Sequence, residues 1–165
     1  MPATHQNSTQ YAAQHVTSPP TIVYPTEAQG ILRAAYFQHD QDGAGDATSS
    51  VALAKLPPGR VRLFLGLSRM WCNWTTGSAT LDLGWDAYTN SLGSTVNADV
   101  DGLIDGLSVD TAGYFNMEGA LAGIRLLGGT YLFESKSGVV IRASSTDVAI
   151  VSGDDLAGYL IYNQD

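Results

Sequence analysis

Two aspartates, Asp82 and Asp86, come nearest to the spacing of a paired-carboxylate catalytic site. They lie on one face of a predicted strand, two pleats apart, where an acid and a base could flank a glycosidic bond. The same spacing also fits two carboxylates that face solvent or a partner subunit, which is the simpler interpretation. A glycan hydrolase is therefore the weakest of three functional hypotheses.

Nucleophilic and metal chemistry have little support. The single cysteine, Cys72, lies between Trp71 and Trp74 and is predicted to be a small buried hydrophobe, since a reactive thiolate needs a histidine and positive surroundings nearby. Of the three histidines only His39 falls in the predicted folded part, which argues against a Ser-His-Asp triad. No zinc spacing or nucleotide-binding glycine motif occurs. We predict no catalytic residue, no metal ligand and no cofactor.

Two acidic stretches resemble the beginning of a calcium-binding loop. One is HDQDGAGD at 39–46 and the other is DVDGLID at 99–105. Such a loop needs a bidentate Glu at its twelfth position. Counting from Asp40 places Val51 there, and counting from Asp99 places Asp110 there. Asp-Gly turn chemistry accounts for both stretches equally well, so calcium is not favoured.

Aromatic residues offer a third kind of site. Trp71, Trp74 and Trp85, with Tyr88, could form a platform on which sugar rings stack, as in lectin-like sandwiches. Trp85 falls on the apolar side of its strand, which favours the core. Trp74 lies beside a turn and is expected to be exposed. These residues make carbohydrate binding an alternative hypothesis.

The candidate aspartates, the cysteine and the aromatic residues all lie in one stretch, 60–88, around which the predicted fold is organised. In its first half, four apolar residues at alternate positions are predicted to face inward: Val61, Leu63, Leu65 and Leu67. In its second half, a second inward-facing set occupies alternate positions: Ala79, Leu81, Leu83, Trp85 and Ala87. Alternation with a period of two is typical of a strand with one buried face. Thr76-Gly77-Ser78 separates the two runs as a turn. The stretch is therefore predicted to be an antiparallel pair within one sheet.

The remaining pattern is mostly that of further strands. Strands are predicted at 31–38 and 51–56, and hairpins at 130–134 with 139–143 and at 148–152 with 156–163. The spacing of apolar residues over 98–107 predicts a short helix capped by Asn97, and 113–129 remains open between helix and strand. The predicted fold is all-β, an antiparallel sandwich of jelly-roll-like type with eight or nine strands and one short helix.

Composition and charge exclude several functions. The net charge is −8, and only eight Lys and Arg residues occur in 165. Nucleic acid and anionic membrane surfaces need clustered basic residues, so neither is a predicted partner. No apolar run approaches a membrane span, and no secretory signal is recognisable. Charged residues make up 15% of the chain against a typical ~25%. This fits a surface partly covered by neighbouring molecules.

The N-terminal segment has a composition of its own. Residues 1–26 contain no Asp, Glu, Lys or Arg, yet they carry spaced apolar residues, namely Tyr11, Val16, Ile22, Val23 and Tyr24. We predict an extended arm over residues 1–28 that becomes ordered against another surface, followed by a sandwich domain over 29–165. A disordered terminus remains the alternative.

Several stretches together resemble a group of structural proteins from tailed bacteriophages. These stretches are RLFLGLSRMWCNW, TLDLGWDAYTN, NADVDGLIDGL, YLFESKSGVVIRASS and LAGYLIYNQD. The group comprises β-sandwich head decoration, or cement, proteins, and the resemblance covers about residues 31–165. It implies a homotrimer, or another small oligomer, on the capsid exterior that bridges major capsid protein subunits. It carries over no catalytic residue.

The sequence thus favours a virion protein that is made in the host cytoplasm and stabilises a capsid. The arm residues are the predicted capsid contacts. Arg60, Arg62 and Phe64, on the outward side of their strand, are the predicted subunit interface. The alternative is a carbohydrate-binding module of a phage fibre or spike.

Overall fold

The fold consists of strands joined by turns and loops. The computed structural model describes residues 31–41, 49–74, 76–117, 124, 128–145, 147–148 and 152–164. Within these residues there are eleven strands, namely β1 (Arg33–Asp40), β2 (Ser50–Leu56), β3 (Gly59–Cys72), β4 (Thr80–Trp85), β5 (Tyr88–Thr89), β6 (Thr95–Val96), β7 (Asp99–Ser108), β8 (Gly113–Asn116), β9 (Thr130–Ser135), β10 (Val139–Ser145) and β11 (Asp155–Gln164). The predicted arm, 1–28, lies outside the described residues.

Two antiparallel sheets enclose the core. The five-stranded sheet has the order β1-β11-β3-β8, with β9 beside the first half of β3, and the four-stranded sheet has the order β2-β10-β4-β7. Strands β1 to β4 alternate between the sheets, and so do β9, β10 and β11. This order is that of a jelly roll. The predicted all-β sandwich is confirmed, with more strands than the eight or nine expected because short strands such as β5 and β6 add to the count.

The core lies between the two sheets. Val61, Leu63 and Leu65 face it from β3, and Leu81 and Leu83 face it from β4, all of them buried. The inward sets predicted for the first part of β3 and for β4 are therefore confirmed. These apolar side chains contact one another away from water, which is the main favourable term in folding such a sandwich. The prediction that Ala87 faces inward is wrong, since it is exposed beyond the end of β4.

A bulge in β3 changes which side chains face inward. Phe64 lies opposite Ile161 of β11 and Arg69 lies opposite Tyr159, so residues 65–68 of β3 face only Leu160. Extra residues on one strand of a pair disrupt the ladder and re-aim the side chains that follow. After the bulge the buried positions are the even-numbered ones, 68, 70, 72 and 74. The prediction that Leu67 is buried is wrong, since its side chain is 54% exposed.

The turn at 76–78 joins the two sheets. Ala79 N–H donates to Thr76 O at 3.1 Å, and Ser78 has a φ of 66°. The turn is confirmed, but the predicted antiparallel pair is wrong, because β3 pairs with β11, β8 and β9 while β4 pairs with β10 and β7. Likewise β9 and β10 flank a turn but belong to different sheets. Alternation of apolar residues identifies the buried face of a strand. It does not show which sheet the strand belongs to, because both sheets bury one face against the same core.

The helix predicted over 98–107 is wrong, since this stretch is strand β7. Leu83 pairs with Ile104 and Trp85 pairs with Asp99, so one residue of β4 spans several residues of β7. This irregularity places Leu103 and Ile104 together in the core and gives the apolar residues a helix-like spacing. Gly102 packs on the ring of Trp85, where a Cβ atom would overlap it.

Most of the other predicted elements agree within a few residues. The strands at 31–38 and 51–56 correspond to β1 and β2, and 156–163 lies within β11. Residues 149–151 lie outside the described residues, as do 118–123 and 125–127. The second predicted hairpin is wrong, because β1 and β3 pair with β11 along both of its edges and leave no edge for 148–152. In the undecided region 113–129 the structure describes a strand at Gly113–Asn116.

Candidate functional site

The outward face of the five-stranded sheet carries the predicted interface residues. Arg60, Arg62 and Phe64 alternate with the buried side chains of β3, so all three project away from the core. Each is partly buried. The structure brings the three together in a row along one strand, where alternate residues lie about 6.6 Å apart. Their role at a subunit interface stays a prediction.

Polar contacts hold part of this row in place. Arg60 lies directly opposite Glu134 on β9 and forms an ion pair with it, with 3.1 Å between Nη1 and Oε1. Arg62 donates from Nη1 to Thr130 Oγ1 at 3.5 Å. Their guanidinium groups therefore lie across the boundary between β3 and β9.

A second feature of the same face lies beyond the bulge of β3. Here β1, β11, β3 and β8 form an open groove of about 700 Å³. We call this the aromatic groove, after the residues that line it, which include Tyr36, Gln38, Arg69, Trp71, Tyr114 and Tyr159. Among the described residues that line it, Arg69 is the one charged side chain. The groove is therefore a mostly uncharged aromatic surface with few polar groups, as binding sites commonly are.

The aromatic rings of the groove form two pairs. Tyr36 lies opposite Tyr159, with ring centroids 6.0 Å apart at 63°. Trp71 lies opposite Tyr114, and the Arg69 guanidinium carbon is 5.2 Å from the centroid of the Tyr114 ring. This cation–π contact orients the Tyr114 ring. Tyr36 is 80% exposed and Tyr114 is 71% exposed, so both rings are open to a partner.

Sequence reasoning missed this groove and placed the aromatic site elsewhere. Trp74 was expected to be exposed, but its side chain is 2% exposed in the core, and this prediction is wrong. Trp85 is buried as predicted, and Tyr88 packs partly against the core. The bulge in β3 is the reason, because it turns Trp74 inward and Trp71 outward. A platform of these three tryptophans is therefore absent from the described structure.

The two aspartates of the proposed catalytic pair both have structural partners. Asp82 is buried and accepts a hydrogen bond from the backbone N–H of Gly106 at 2.7 Å. Asp86 accepts two hydrogen bonds from Arg142, at 2.7 and 2.8 Å, and these lower the pKa of its carboxyl group. The expectation that Asp82 faces solvent or a partner is wrong, because β7 covers it. Both carboxyl groups are therefore engaged in contacts within the fold.

The remaining candidates for chemistry also have structural roles. Cys72 is fully buried, as predicted, and burial raises the pKa of its thiol to about 11. His39 Nε2 lies 2.9 Å from Gln41 Oε1. A thiol with so high a pKa is a poor nucleophile near neutral pH.

Metal binding has no visible site in the described part of the chain. There, no group of three or more His, Cys, Asp and Glu side chains is placed to hold an ion. Residues 42–48 of the first acidic stretch lie outside the described residues. In the second, a hydrogen bond shared with Asp101 raises the pKa of Asp99. The described residues also include no helix of the length and apolarity needed to cross a bilayer.

Two solved structures share this fold over nearly their whole length. A chain from the capsid of Ralstonia phage GP4 matches with a TM-score of 0.59 and 16% identity, over 93% of this chain and 94% of that one. A chain from the cyanophage Pam1 capsid asymmetric unit matches with a TM-score of 0.52 and 14% identity, over 100% of both chains. No protein-family model and no curated protein matches the sequence. At these identities the likeness establishes the fold.

Proposed function

We propose that this chain is a structural virion protein that decorates the outside of a phage capsid and stabilises it by bridging capsid subunits. One observation carries the proposal: the chain shares its fold, nearly end to end, with chains from two phage capsids. A fold can host unrelated functions, so the proposal also depends on the surface of this chain.

The surface suits a protein that binds other proteins. Tyr, Trp and Arg are enriched at protein interfaces, and the outward face of the five-stranded sheet presents all three. Exposed apolar side chains occur where the chain enters β1, since Ile31 is 78% exposed and Leu32 is 52% exposed. Together with the low content of charged residues, this favours a role in assembly. The protein acts as a homotrimer whose subunits meet through Arg60, Arg62 and Phe64.

The N-terminal arm supplies the contact with the shell in this proposal. An uncharged segment with spaced apolar residues gains backbone hydrogen bonds and buried side chains when it adds to a partner surface. On a symmetric shell, many such contacts act together through their high effective concentration. The major capsid protein is the proposed partner. Neither catalysis nor a cofactor is part of this function.

Co-sedimentation with capsids tests the arm. Capsids of the phage that encodes this chain, prepared without it, are mixed with the full chain or with a variant lacking residues 1–26. The full chain is expected to bind until its sites are saturated, and the truncated variant at least ~10-fold more weakly, which corresponds to about 1.4 kcal/mol. Undiminished binding of the truncated variant would exclude the arm as the shell contact.

Sedimentation equilibrium tests the subunit interface. The double variant Arg62→Ala/Phe64→Ala is expected to shift the mass of the free protein from the oligomer to the monomer. Lys55→Ala, a change at an exposed position on β2 of the other sheet, serves as the control. An oligomer that persists in the double variant would exclude this row as the interface.

A further inference from the structure

We propose that the aromatic groove binds the segment Pro19–Pro25 of a neighbouring copy of this chain, so that copies are joined by an exchanged arm. The inference concerns contacts between copies: it rests on the proposed subunit interface but does not depend on binding to a capsid. The occupant is a named segment of this same sequence, PPTIVYP, which precedes the first described residue, Ile31.

The chemistry of the groove fits a proline-rich ligand. Grooves lined by Tyr and Trp bind polyproline II segments, because such segments are already extended and lose little entropy on binding. Tyr36, Trp71, Tyr114 and Tyr159 provide the rings, and Gln38 provides an amide that can bond to ligand carbonyl groups. Since Arg69 is the only charged residue in the described part of the lining, the groove suits the segment, because residues 1–26 carry no charged side chain.

The spacing of the apolar residues in the segment is comparable with that of the aromatic pairs. A polyproline II helix has three residues per turn, so Pro19, Ile22 and Pro25 lie on one face at intervals of about 9.3 Å. The pair Tyr36–Tyr159 lies on β1 and β11, and the pair Trp71–Tyr114 lies on β3 and β8, two strands further across the sheet. Neighbouring strands are about 4.8 Å apart, so the two pairs are about 9.6 Å apart across the sheet. Trp71 lies opposite Ala157 while Tyr159 lies opposite Arg69, so the pairs are also offset by two residues along the strands, and their full separation is about 12 Å. Successive apolar residues of the segment can meet both pairs, because the Tyr and Trp side chains are long enough to span the difference from about 9.3 Å.

The direction of the chain favours a neighbouring copy over the same copy. The chain enters β1 at Arg33 and reaches the groove only at Tyr36, so towards the N-terminus it runs away from the groove. The segment could reach its own groove only by reversing within the residues between Pro25 and Arg33. The proposed interface row lies on the same face as the groove, so a copy packed on that row can deliver its arm into it.

This exchange divides the arm between two surfaces. Ile22, on the same polyproline face as Pro19 and Pro25, contacts the neighbouring copy rather than the shell. Tyr11 and Val16 lie further towards the N-terminus and remain the contacts with the capsid.

Photo-crosslinking of the full-length chain tests the proposal. Ile22 is replaced by p-benzoylphenylalanine, equal amounts of ¹⁴N-labelled and ¹⁵N-labelled protein are mixed, and crosslinked peptides are identified by mass spectrometry. The expected products join position 22 of one isotope to peptides containing Tyr36 or Tyr114 of the other. The same photoreactive residue at Thr21, on a different polyproline face, is expected to give several-fold fewer groove crosslinks.

The variant Tyr36→Ala/Tyr114→Ala provides the matched control for the groove. Both rings are largely exposed, so the variant should keep the melting temperature of the wild type within a few degrees. It is expected to lose the inter-copy crosslinks. Crosslinks confined to one isotope, crosslinks to other regions, or crosslinks unaffected by the groove variant would each overturn the proposal. Glycan-array binding that disappears in this variant while the crosslinks persist would overturn it in favour of a sugar.

Discussion

The hydroxyl group of Ser68 completes the pairing of β3 with β11 by accepting the backbone N–H of Ile161 at 2.9 Å. The same hydroxyl donates to the backbone carbonyl of Phe64 at 2.7 Å. Ser68 is buried at the bulge, where a regular ladder would have supplied a backbone carbonyl to Ile161. This contact fixes the bulge, and the bulge directs Arg69 and Trp71 outward into the aromatic groove.

Replacing Ser68 by Ala is predicted to destabilise the protein by about 1–3 kcal/mol, because the partly buried N–H of Ile161 then loses the Ser68 hydroxyl as its acceptor. The measurement is the free energy of unfolding from urea denaturation. Ser137→Ala, at an exposed turn position, is the control and should change it by less than ~0.5 kcal/mol. Equal effects of the two changes would contradict the role assigned to Ser68.

Replacing Gly84 by Ala is predicted to cost at least about 1–3 kcal/mol of stability, since overpacking against backbone has no easy relief. A Cβ atom at Gly84 would overlap the carbonyl oxygen of Asp99, where β7 crosses β4. Gly77→Ala is the matched control, because no atom lies within 4 Å of a Cβ atom built there. Thermal unfolding of both variants checks the prediction, and an unchanged melting temperature for Gly84→Ala would contradict the close approach of β7.

The ion pair between Asp86 and Arg142 is predicted to make stability depend on pH. Arg142 lowers the pKa of the Asp86 carboxyl group in the folded protein. A lowered folded pKa gives stability that is present above the unfolded value and is lost as pH falls through the folded value. Both side chains are partly exposed, so Asp86→Asn should cost about 0.2–1 kcal/mol at pH 7.

The pH series supplies the control for this pair. The difference between the wild type and Asp86→Asn should shrink as pH falls below about 4, where carboxyl groups become protonated. Asp105→Asn, which removes a negative charge from an exposed position, is the control and should change the free energy of unfolding at pH 7 by less than ~0.5 kcal/mol. A difference between wild type and Asp86→Asn that stays constant down to the lowest pH at which the protein is folded would contradict the ion pair.

Cys72 is predicted to be inert towards thiol reagents in the folded protein. Burial raises the pKa of its thiol to about 11, so at pH 8 the reactive thiolate is at least ~100-fold rarer than for a thiol of ordinary pKa. Ellman's reagent should modify it rapidly only in denaturant. A Ser137→Cys variant supplies an exposed thiol that reacts in the folded state. Rapid modification of native wild-type protein would contradict the burial of Cys72.

The sequence predicts the faces of strands better than their partners. Alternation identified Leu63 and Leu81 as core residues, because a strand with one buried face has apolar residues at alternate positions. It could not assign β3 and β4 to different sheets, since a turn within one sheet and a turn between two sheets have the same sequence pattern. The exposure of Leu67 and the burial of Trp74 depend on the bulge that Ser68 stabilises. The alternation of apolar residues does not predict this bulge.

The aromatic groove was beyond sequence reasoning for a different reason. Tyr36, Trp71, Tyr114 and Tyr159 come from four strands that are far apart along the chain and are brought side by side by the jelly-roll order. In contrast, Arg60, Arg62 and Phe64 share one strand, so their common outward face could be predicted from alternation alone.

Cryo-electron microscopy of capsids with and without this protein tests the central proposal most directly. Capsids of the encoding phage that lack the chain are imaged before and after incubation with the full-length protein. We expect additional density on the outer surface, at positions that bridge neighbouring capsid subunits and that accommodate three copies of the jelly roll. Identical maps at saturating protein concentration would contradict a role in capsid decoration.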